Sequence, residues 1–221
     1  GRGPRLEDGV EAAKDSEHVS RMVARQAPIS PHTPQDWVND PERIGSPCGQ
    51  AVLAAVEARK TGDHAQALRH SETAVREDPQ DPMAYFQRGR SRKEVGDNNG
   101  AVVDLTQSIN LGWDDPILFT ARADALMKLG GRQREQAAFY DADMAVRLDP
   151  KQAGAYMVRS ASGLSVGRPA EAVLADLKMA AELDFGRYGA FYDQQRPIFE
   201  RLIVEGRNRQ VGAVAAAGSQ P

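Results

Sequence analysis

The sequence has few of the residues on which catalytic and metal sites depend. It contains one cysteine, Cys48, so an internal disulfide and a paired-cysteine metal site are both excluded. The chain has four histidines: His18, His32, His64 and His70. Only the last two share a predicted element, and because they are six residues apart they do not lie on the same face of a helix. Neither a Gly-Lys-Ser/Thr phosphate loop nor a His-Glu-x-x-His zinc pattern occurs. We therefore predict a protein that is not an enzyme and uses no cofactor or metal.

Long apolar runs and excess positive charge are also missing. No apolar run approaches the roughly 20 residues that span a bilayer, and a formal net charge of -3 provides no positive field to attract phosphates. We expect neither a membrane span nor a nucleic-acid partner. Without such a run we expect a soluble protein. The chain begins at Gly1 rather than Met, so the compartment stays open: cytoplasmic, or exported if a signal peptide preceded Gly1.

Aromatic residues make up only 6% of the chain, although hydrophobic residues make up 41% and alanine supplies many of them. Small apolar side chains suit closely packed helix pairs, whereas a sheet core needs more β-branched and aromatic residues. The composition therefore predicts an all-α fold.

One helical hairpin can be read in the stretch 82–112. Asp81 and Pro82 can cap and start its first helix, and Gly96 and Asp97 can end that helix and start the second. The second helix carries a narrow stripe of small and aliphatic residues at helical spacing: Ala101, Val102, Leu105, Ser108 and Ile109.

The landmarks of this hairpin recur along the chain. Gly62, Gly96 and Gly130 are successively 34 residues apart, and Gly167 follows 37 residues later. Two small residues of the second helix recur with nearly the same period, one as Ala67, Ala101, Ala138 and Ala172, the other as Ala74, Ser108, Ala145 and Ala180. A single short hairpin cannot bury both of its apolar faces, so the recurrence predicts stacked repeats.

The period divides the chain into an arm, an array, a cap and a tail. The predicted segments are 1–48 (a charged, then proline-rich arm), four repeats at 49–81, 82–115, 116–152 and 153–185, a capping helix at 186–206 and a flexible tail at 207–221. A weak helical pattern in the arm leaves an ordered helix open there: Val10, Ala13, Val19, Met22 and Val23. Prolines then forbid a continuous helix and favour an extended linker: Pro28, Pro31, Pro34, Pro41 and Pro47.

Three local features have more specific consequences. Trp37 in the arm needs a place to bury its ring, either on the outside of the first repeat or in a groove of its own or a neighbouring chain. The third repeat has three more residues than its siblings before Ala138, which lengthen a loop or add a helical turn. Pro197 can start and Gly206 can stop a cap helix whose apolar stripe is Ile198, Phe199, Leu202 and Ile203.

Taken together, these landmarks resemble tetratricopeptide repeats. The resemblance rests on the period, on Tyr85 followed by Gly89, on the Gly-Asp turns, on the small residues of the second helix and on the closing pair Asp78 and Pro79. It covers four repeats over about residues 50–185. It implies a right-handed α-solenoid of four helical hairpins with a C-terminal capping helix, whose first helices line a concave groove that accepts a protein segment.

The sequence departs from the family pattern at three places. Trp113 and Phe185 stand where a closing proline is expected, so we expect these repeat ends to bend less sharply or to pack an aromatic residue in the joint between repeats. Ala51 stands where the first helix of the first repeat usually has a large aromatic residue.

A charged pair recurs in three repeats, with arginine in the first helix and aspartate in the second. We expect each arginine to reach the aspartate of its own repeat and hold the two helices in register. The pairs are Arg88 with Asp104, Arg122 with Asp141, and Arg159 with Asp176. The first repeat has Ala54 and His70 at these places and lacks the pair.

The resemblance also assigns the residues of the groove. They are Val56, Arg59, Lys60, Met83, Phe86, Arg90, Lys93, Ile117, Thr120, Asp124, Met127, Met157, Ala161 and Leu164. This set is basic toward its N-terminal half and apolar toward its C-terminal half, which suits a protein or peptide with an acidic end and hydrophobic anchors. Val52 and Val56 stand where the carboxylate clamp of chaperone-binding members begins, so we predict no such clamp.

The leading hypothesis is a non-enzymatic scaffold or adaptor that binds a protein segment in this groove. The alternative is a structural subunit of a larger or self-associating complex, tethered through the N-terminal arm, which could also fill part of the groove. The sequence leaves the partner and the oligomeric state open.

Overall fold

A computed structural model describes the backbone from residue 34 to residue 217 and the side chains from residue 35 to residue 206. The weak helical pattern between Val10 and Val23 and the last four residues lie outside this part of the chain. The described part contains eleven α-helices and no strand. In chain order they are α1 (Pro34–Val38), α2 (Pro41–Gly45), α3 (Pro47–Lys60), α4 (His64–Glu77), α5 (Pro82–Glu94), α6 (Asn98–Asn110), α7 (Pro116–Leu129), α8 (Arg132–Leu148), α9 (Ala153–Gly163), α10 (Ala170–Leu183) and α11 (Phe185–Ala217).

Eight of these helices form four consecutive hairpins. The first helices are α3, α5, α7 and α9, and each packs against the second helix that follows it. Each second helix also packs against the first helix of the next hairpin, and neighbouring first helices contact one another. The predicted fold, an all-α right-handed solenoid of four hairpins followed by a C-terminal helix, is confirmed.

The ends of the second hairpin show how local sequence determines these elements. Asp81 accepts hydrogen bonds from the backbone amides of Met83 (2.7 Å) and Ala84 (3.1 Å), which caps α5. The turn that follows α5 has Gly96 at φ 87°, a conformation that side chains with a Cβ rarely adopt. Inside α5, a Cβ on Gly89 would lie 2.7 Å from Leu105 Cγ, so this glycine permits the close approach of α6.

Part of the arm is helical, contrary to the extended linker predicted from its prolines. Pro34, Pro41 and Pro47 each occupy the first position of a helix, where the missing amide hydrogen costs nothing. Asp40 and Ser46 supply side-chain caps for α2 and α3. The prolines therefore break this segment into three helices.

Trp37 in α1 is buried in a cluster that includes the predicted groove residues Met83 and Phe86. Only 2% of its surface is exposed, and Nε1 donates a hydrogen bond to Asp81 Oδ2 at 3.0 Å. Asp81 belongs to the second hairpin, so the arm packs across the joint between the first two hairpins. The ring is buried in the same cluster as Val52 and Met83.

The C-terminal helix α11 is longer than predicted and uses a different face. It begins at Phe185, contains Pro197 in its interior and continues past Gly206, so neither residue bounds the helix. Of the predicted stripe, Phe199 is buried and Ile203 is half-buried, whereas Ile198 is 52% and Leu202 44% exposed.

Tyrosines account for this difference in the buried face of α11. Tyr188 and Tyr192 pack against the fourth hairpin together with Phe199, at separations of four and seven residues. The side of α11 that these three residues define leaves Ile198 and Leu202 facing outward. The chain after residue 206 is helical as far as Ala217, where the sequence predicted a tail.

The three extra residues of the third repeat lengthen its second helix. The helix α8 has 17 residues, compared with 14 in α4 and 13 in α6. The addition lies at its N-terminal end, after Gly131 at φ 95°.

The structure brings together the three arginines and aspartates of the sequence hypothesis. Arg88 donates two hydrogen bonds, from Nε (2.8 Å) and Nη2 (2.7 Å), to the two oxygens of Asp104. Arg122 does the same to Asp141 at 2.7 and 2.6 Å, and Arg159 to Asp176 at 2.9 and 2.7 Å. The aspartates are 1 to 7% exposed. Each pair therefore joins the two helices of one hairpin in a fork geometry that fixes distance and orientation.

The same arginines also connect successive hairpins, which the sequence hypothesis did not include. Arg122 Nη1 donates to Thr106 Oγ1 of the preceding second helix at 3.1 Å, and Arg159 Nη1 donates to Asp143 Oδ1 at 2.8 Å. Glu72 holds the equivalent place before Arg88 and contributes to raising the pKa of Arg88, after the larger effect of hydrogen bonding to Asp104. Residues 72, 106 and 143 occupy the same place in successive repeats, and this recurrence in the sequence could have predicted the link.

Replacing Asp104 with alanine tests the importance of the arginine–aspartate fork. We expect Asp104→Ala to lower the free energy of unfolding by about 3 kcal/mol, because it leaves the partly buried Arg88 without its carboxylate. Urea unfolding followed by circular dichroism measures the change. The exposed Asp114→Ala variant is the matched control, with an expected effect below about 0.5 kcal/mol. Equal midpoints for the two variants would contradict the structural role of the pair.

Replacing Trp37 tests whether the arm stabilises the array. We expect Trp37→Ala to lower the free energy of unfolding by about 3 to 5 kcal/mol, because a large buried side chain is removed. Trp37→Phe keeps most of the ring and should cost less, with the loss of the hydrogen bond to Asp81 contributing about 1 kcal/mol. The same urea experiment applies, and wild-type stability of Trp37→Ala would show that the arm does not contribute.

Candidate binding face

The candidate site is the side of the array formed by the first helices, on which the sequence placed the groove residues. We call it the first-helix face. At its N-terminal end lie Arg59 on α3 and Arg90 on α5. Arg59 Nη1 donates a hydrogen bond of 2.6 Å to the buried Gln87 Oε1, and the guanidinium of Arg90 lies 5.3 Å from the centre of the Phe86 ring. Neither arginine has a carboxylate within 4 Å among the described residues.

The electrostatics of these two arginines are unfavourable in the free protein. Burial, followed by the positive charge of Arg90, lowers the pKa of Arg59 to about 10. Burial also lowers the pKa of Arg90, although Asp115 and Glu94 act in the opposite direction. Both guanidinium groups remain charged at neutral pH, so the N-terminal end of the face holds two partly desolvated positive charges close together.

The middle of the face satisfies its own polar groups. Asp124 accepts from Lys93 at 3.0 Å and pairs with Lys128 at 3.2 Å. Burial raises the pKa of Asp124, but the two lysines outweigh it and hold that pKa below its ordinary value. Thr120 Oγ1 donates to the side-chain oxygen of Gln152 at 2.8 Å. The charge of Lys93 is therefore already used within the protein.

The C-terminal end of the face is apolar and contains a cavity of about 160 Å³. Three predicted groove residues, Met157, Ala161 and Leu164, line it together. The remaining lining residues come from the same helix and from α10 and α11: Ser160, Leu177, Phe191, Gln195 and Phe199. Sequence reasoning missed the α11 residues because it treated that helix only as a cover, although two phenylalanines eight residues apart lie in it.

Two predicted groove residues are not available for binding. Met83 is 8% and Phe86 is 3% exposed. For Phe86 the physical reason is Trp113, which stands in place of the closing proline, is itself 1% exposed and packs with its ring centre 6.1 Å from that of Phe86. Met83 belongs to the same buried cluster, which also contains Trp37 of the arm.

The other predicted residues differ in exposure. Val56 and Met127 are half-buried, Lys60 is exposed and pairs with Glu57 at 3.6 Å, and Ile117 is 45% exposed.

The remaining chemistry in the described part is sparse. Cys48 is 5% exposed, and burial raises its pKa to about 12, so its thiol stays protonated at neutral pH. No cluster of three or more histidine, cysteine or acidic side chains is arranged to hold a metal among the described residues. Within the same residues, no helix combines the length and apolar character that crossing a membrane requires.

Comparison with known proteins agrees with the fold. No protein-family model matches the chain. Tetratricopeptide repeat protein 36 of Danio rerio is 37% identical over 76 residues, which are 34% of this chain and 40% of that protein. The match therefore spans less than half of the relative's length.

Two solved structures resemble the fold of the chain. YrrB, described as a TPR protein with an unusual peptide-binding site, has a TM-score of 0.56 at 18% identity, covering 69% of this chain and 77% of that one. MamA from Desulfovibrio magneticus RS-1 also has a TM-score of 0.56 at 18% identity, covering 80% of this chain and 99% of that one. Together with the four stacked hairpins and the periodic landmarks of this chain, these likenesses show that the chain has the fold of tetratricopeptide-repeat proteins.

Proposed function

We propose that the protein is a non-enzymatic scaffold whose first-helix face binds an acidic segment of another protein. The observation that carries the proposal is the pair Arg59 and Arg90, two partly buried guanidinium groups on adjacent helices that have no carboxylate within 4 Å in the described part of the chain. This contrasts with Arg88, Arg122 and Arg159, each of which holds an aspartate.

A carboxylate from a partner would relieve the unfavourable charge. The pKa of a cation falls when its charged form is destabilised, so the lowered pKa values of Arg59 and Arg90 indicate a free-energy cost in the free protein. A bound Asp or Glu side chain, or a C-terminal carboxylate, would supply charge-assisted hydrogen bonds to both groups. Acidic segments would therefore bind more tightly than neutral ones.

The fold comparison supports a peptide as the ligand, without bearing on its charge. YrrB is described as having a peptide-binding site, and its structure shares the solenoid fold.

Charge reversal at the arginine pair tests the proposal. The probe is a fluorescein-labelled peptide of four aspartates alternating with serines, measured by fluorescence anisotropy in 50 mM NaCl. We expect Arg59→Glu and Arg90→Glu each to weaken binding at least tenfold, because they replace an attractive charge by a repulsive one. Arg69→Glu, an equal charge change at an exposed position of α4, is the matched control and should stay within about twofold of wild type. Equal weakening of binding by all three variants would show that affinity depends only on the net charge of the protein, and this result would overturn the proposal.

A second test separates binding from stability. We expect Arg59→Met to lose binding of the same peptide while leaving the free energy of unfolding of the free protein within about 1 kcal/mol of wild type, because the loss of the hydrogen bond to the buried Gln87 is offset by relief of the repulsion with Arg90. Urea unfolding measures the second quantity. A loss of stability as large as that expected for Asp104→Ala would assign Arg59 a structural role.

A further inference from the structure

The cavity at the C-terminal end of the first-helix face has the character of a side-chain pocket. Six of its eight lining residues are apolar, and they come from α9, from the turn after it and from α10 and α11. Leu164 is 51% and Phe191 40% exposed, so the pocket is open to the face. Its floor is buried, because Phe199 is 8% and Leu177 4% exposed.

The volume of the cavity matches one large apolar side chain. An apolar cavity of about 150 Å³ in another protein stays dry and binds benzene, and the volume here is about 160 Å³. Met157 lines one wall, and its unbranched thioether can adapt to rings or branched aliphatic groups. A leucine, methionine or phenylalanine side chain therefore fits.

The position of the cavity relates it to the arginine pair. The helices α3, α5, α7 and α9 lie side by side, and the cavity lies where residues of α9 and α11 meet. Two and a half interaxial steps of about 8 to 10 Å separate the middle of the arginine pair, between α3 and α5, from α9, so the path to the cavity is roughly 20 to 25 Å. An extended segment covers that distance with about seven residues.

The polar groups between the two ends do not offer a competing charge site. Asp124 is shared by Lys93 and Lys128, and Thr120 is bonded to Gln152. The face therefore has one anion-attracting end and one apolar end, separated by a stretch that satisfies its own polar groups.

We propose that this cavity binds one large apolar side chain of the partner, about seven residues along the segment from the acidic group that meets Arg59 and Arg90. The inference rests on the proposed function and specifies its ligand as an extended segment with an acidic group and a single apolar anchor. Met157 and Phe191 contact the anchor, and Ala161 lies at the side of the pocket.

Synthetic peptides test the spacing. Each peptide carries three aspartates and one leucine in a serine and glycine background, with three, seven or eleven residues between the acidic cluster and the leucine. A fourth peptide has serine in place of leucine. We expect the seven-residue peptide to bind at least tenfold more tightly than the serine peptide, because burying one leucine side chain supplies that factor. The three-residue peptide should show no such gain.

A variant that fills the cavity tests the site. Ala161→Phe should abolish the gain from leucine, so that the leucine and serine peptides bind this variant with equal affinity. Ala175→Phe adds the same ring at an exposed alanine of α10 and should keep the gain. A gain that survives in Ala161→Phe, or no gain from leucine at any spacing, would overturn the pocket.

A direct readout distinguishes failure of the pocket from failure of the proposed function. N-acetyl-leucinamide, which has no carboxylate, should shift the ¹³C-methyl NMR signal of Met157 in wild type and leave it in place in Ala161→Phe. If acidic peptides fail to bind but this signal shifts, the proposed function is wrong. The cavity then still binds an apolar group, but the seven-residue spacing from an acidic group is overturned. If acidic peptides bind through the arginines and neither leucine nor the amide has an effect, the pocket fails and the proposed function stands.

Discussion

The structure depends on a buried arginine–aspartate fork that recurs in three of the four hairpins. Each aspartate is almost fully buried, so its charge requires a partner with fixed geometry, and the guanidinium fork supplies two parallel hydrogen bonds. The third donor of the arginine reaches the preceding second helix in the last two of these hairpins. One side chain thus sets both the packing within a hairpin and the register between hairpins. Because a solenoid repeat contacts only its neighbours, this local constraint helps to position the first helices α5, α7 and α9.

The binding face follows from that register. Helices that lie side by side present corresponding residues in rows. The charge and polarity of these residues change from the N-terminal to the C-terminal end of the array. At the N-terminal end, Arg59 and Arg90 carry charge that the described part of the protein does not pair within 4 Å. In the middle, Lys93 is paired with Asp124. Two arginines of the same helix therefore have different roles: Arg88 is held by Asp104, whereas Arg90 has no carboxylate within 4 Å among the described residues.

The fold could be predicted from the sequence because its signals are local and repeated. Gly62, Gly96 and Gly167 adopt the positive φ values that their turns require, and the recurring small residues permit close packing of helices. The fork was also predictable, since Arg88 and Asp104 have counterparts at the same repeat positions.

The features that could not be predicted from the sequence depend on contacts between residues that are distant along the chain. Phe86 was assigned to the groove by position, but Trp113 covers it from the next joint. Trp37 reaches Asp81 over 44 residues, and no pattern in the arm indicates that partner. The cavity joins Met157 to Phe191 across two helices, so it appears only once α11 is placed.

The central claim is that Arg59 and Arg90 are the arginines that remain open to an acidic partner, whereas those of the fork are occupied. Side-chain ¹⁵Nε NMR of all arginines during titration with the aspartate peptide tests it most directly. The account predicts that the signals of Arg59 and Arg90 shift in proportion to bound peptide, while those of Arg88, Arg122 and Arg159 stay in place. Shifts confined to exposed arginines such as Arg69, or spread equally over all arginines, would contradict it.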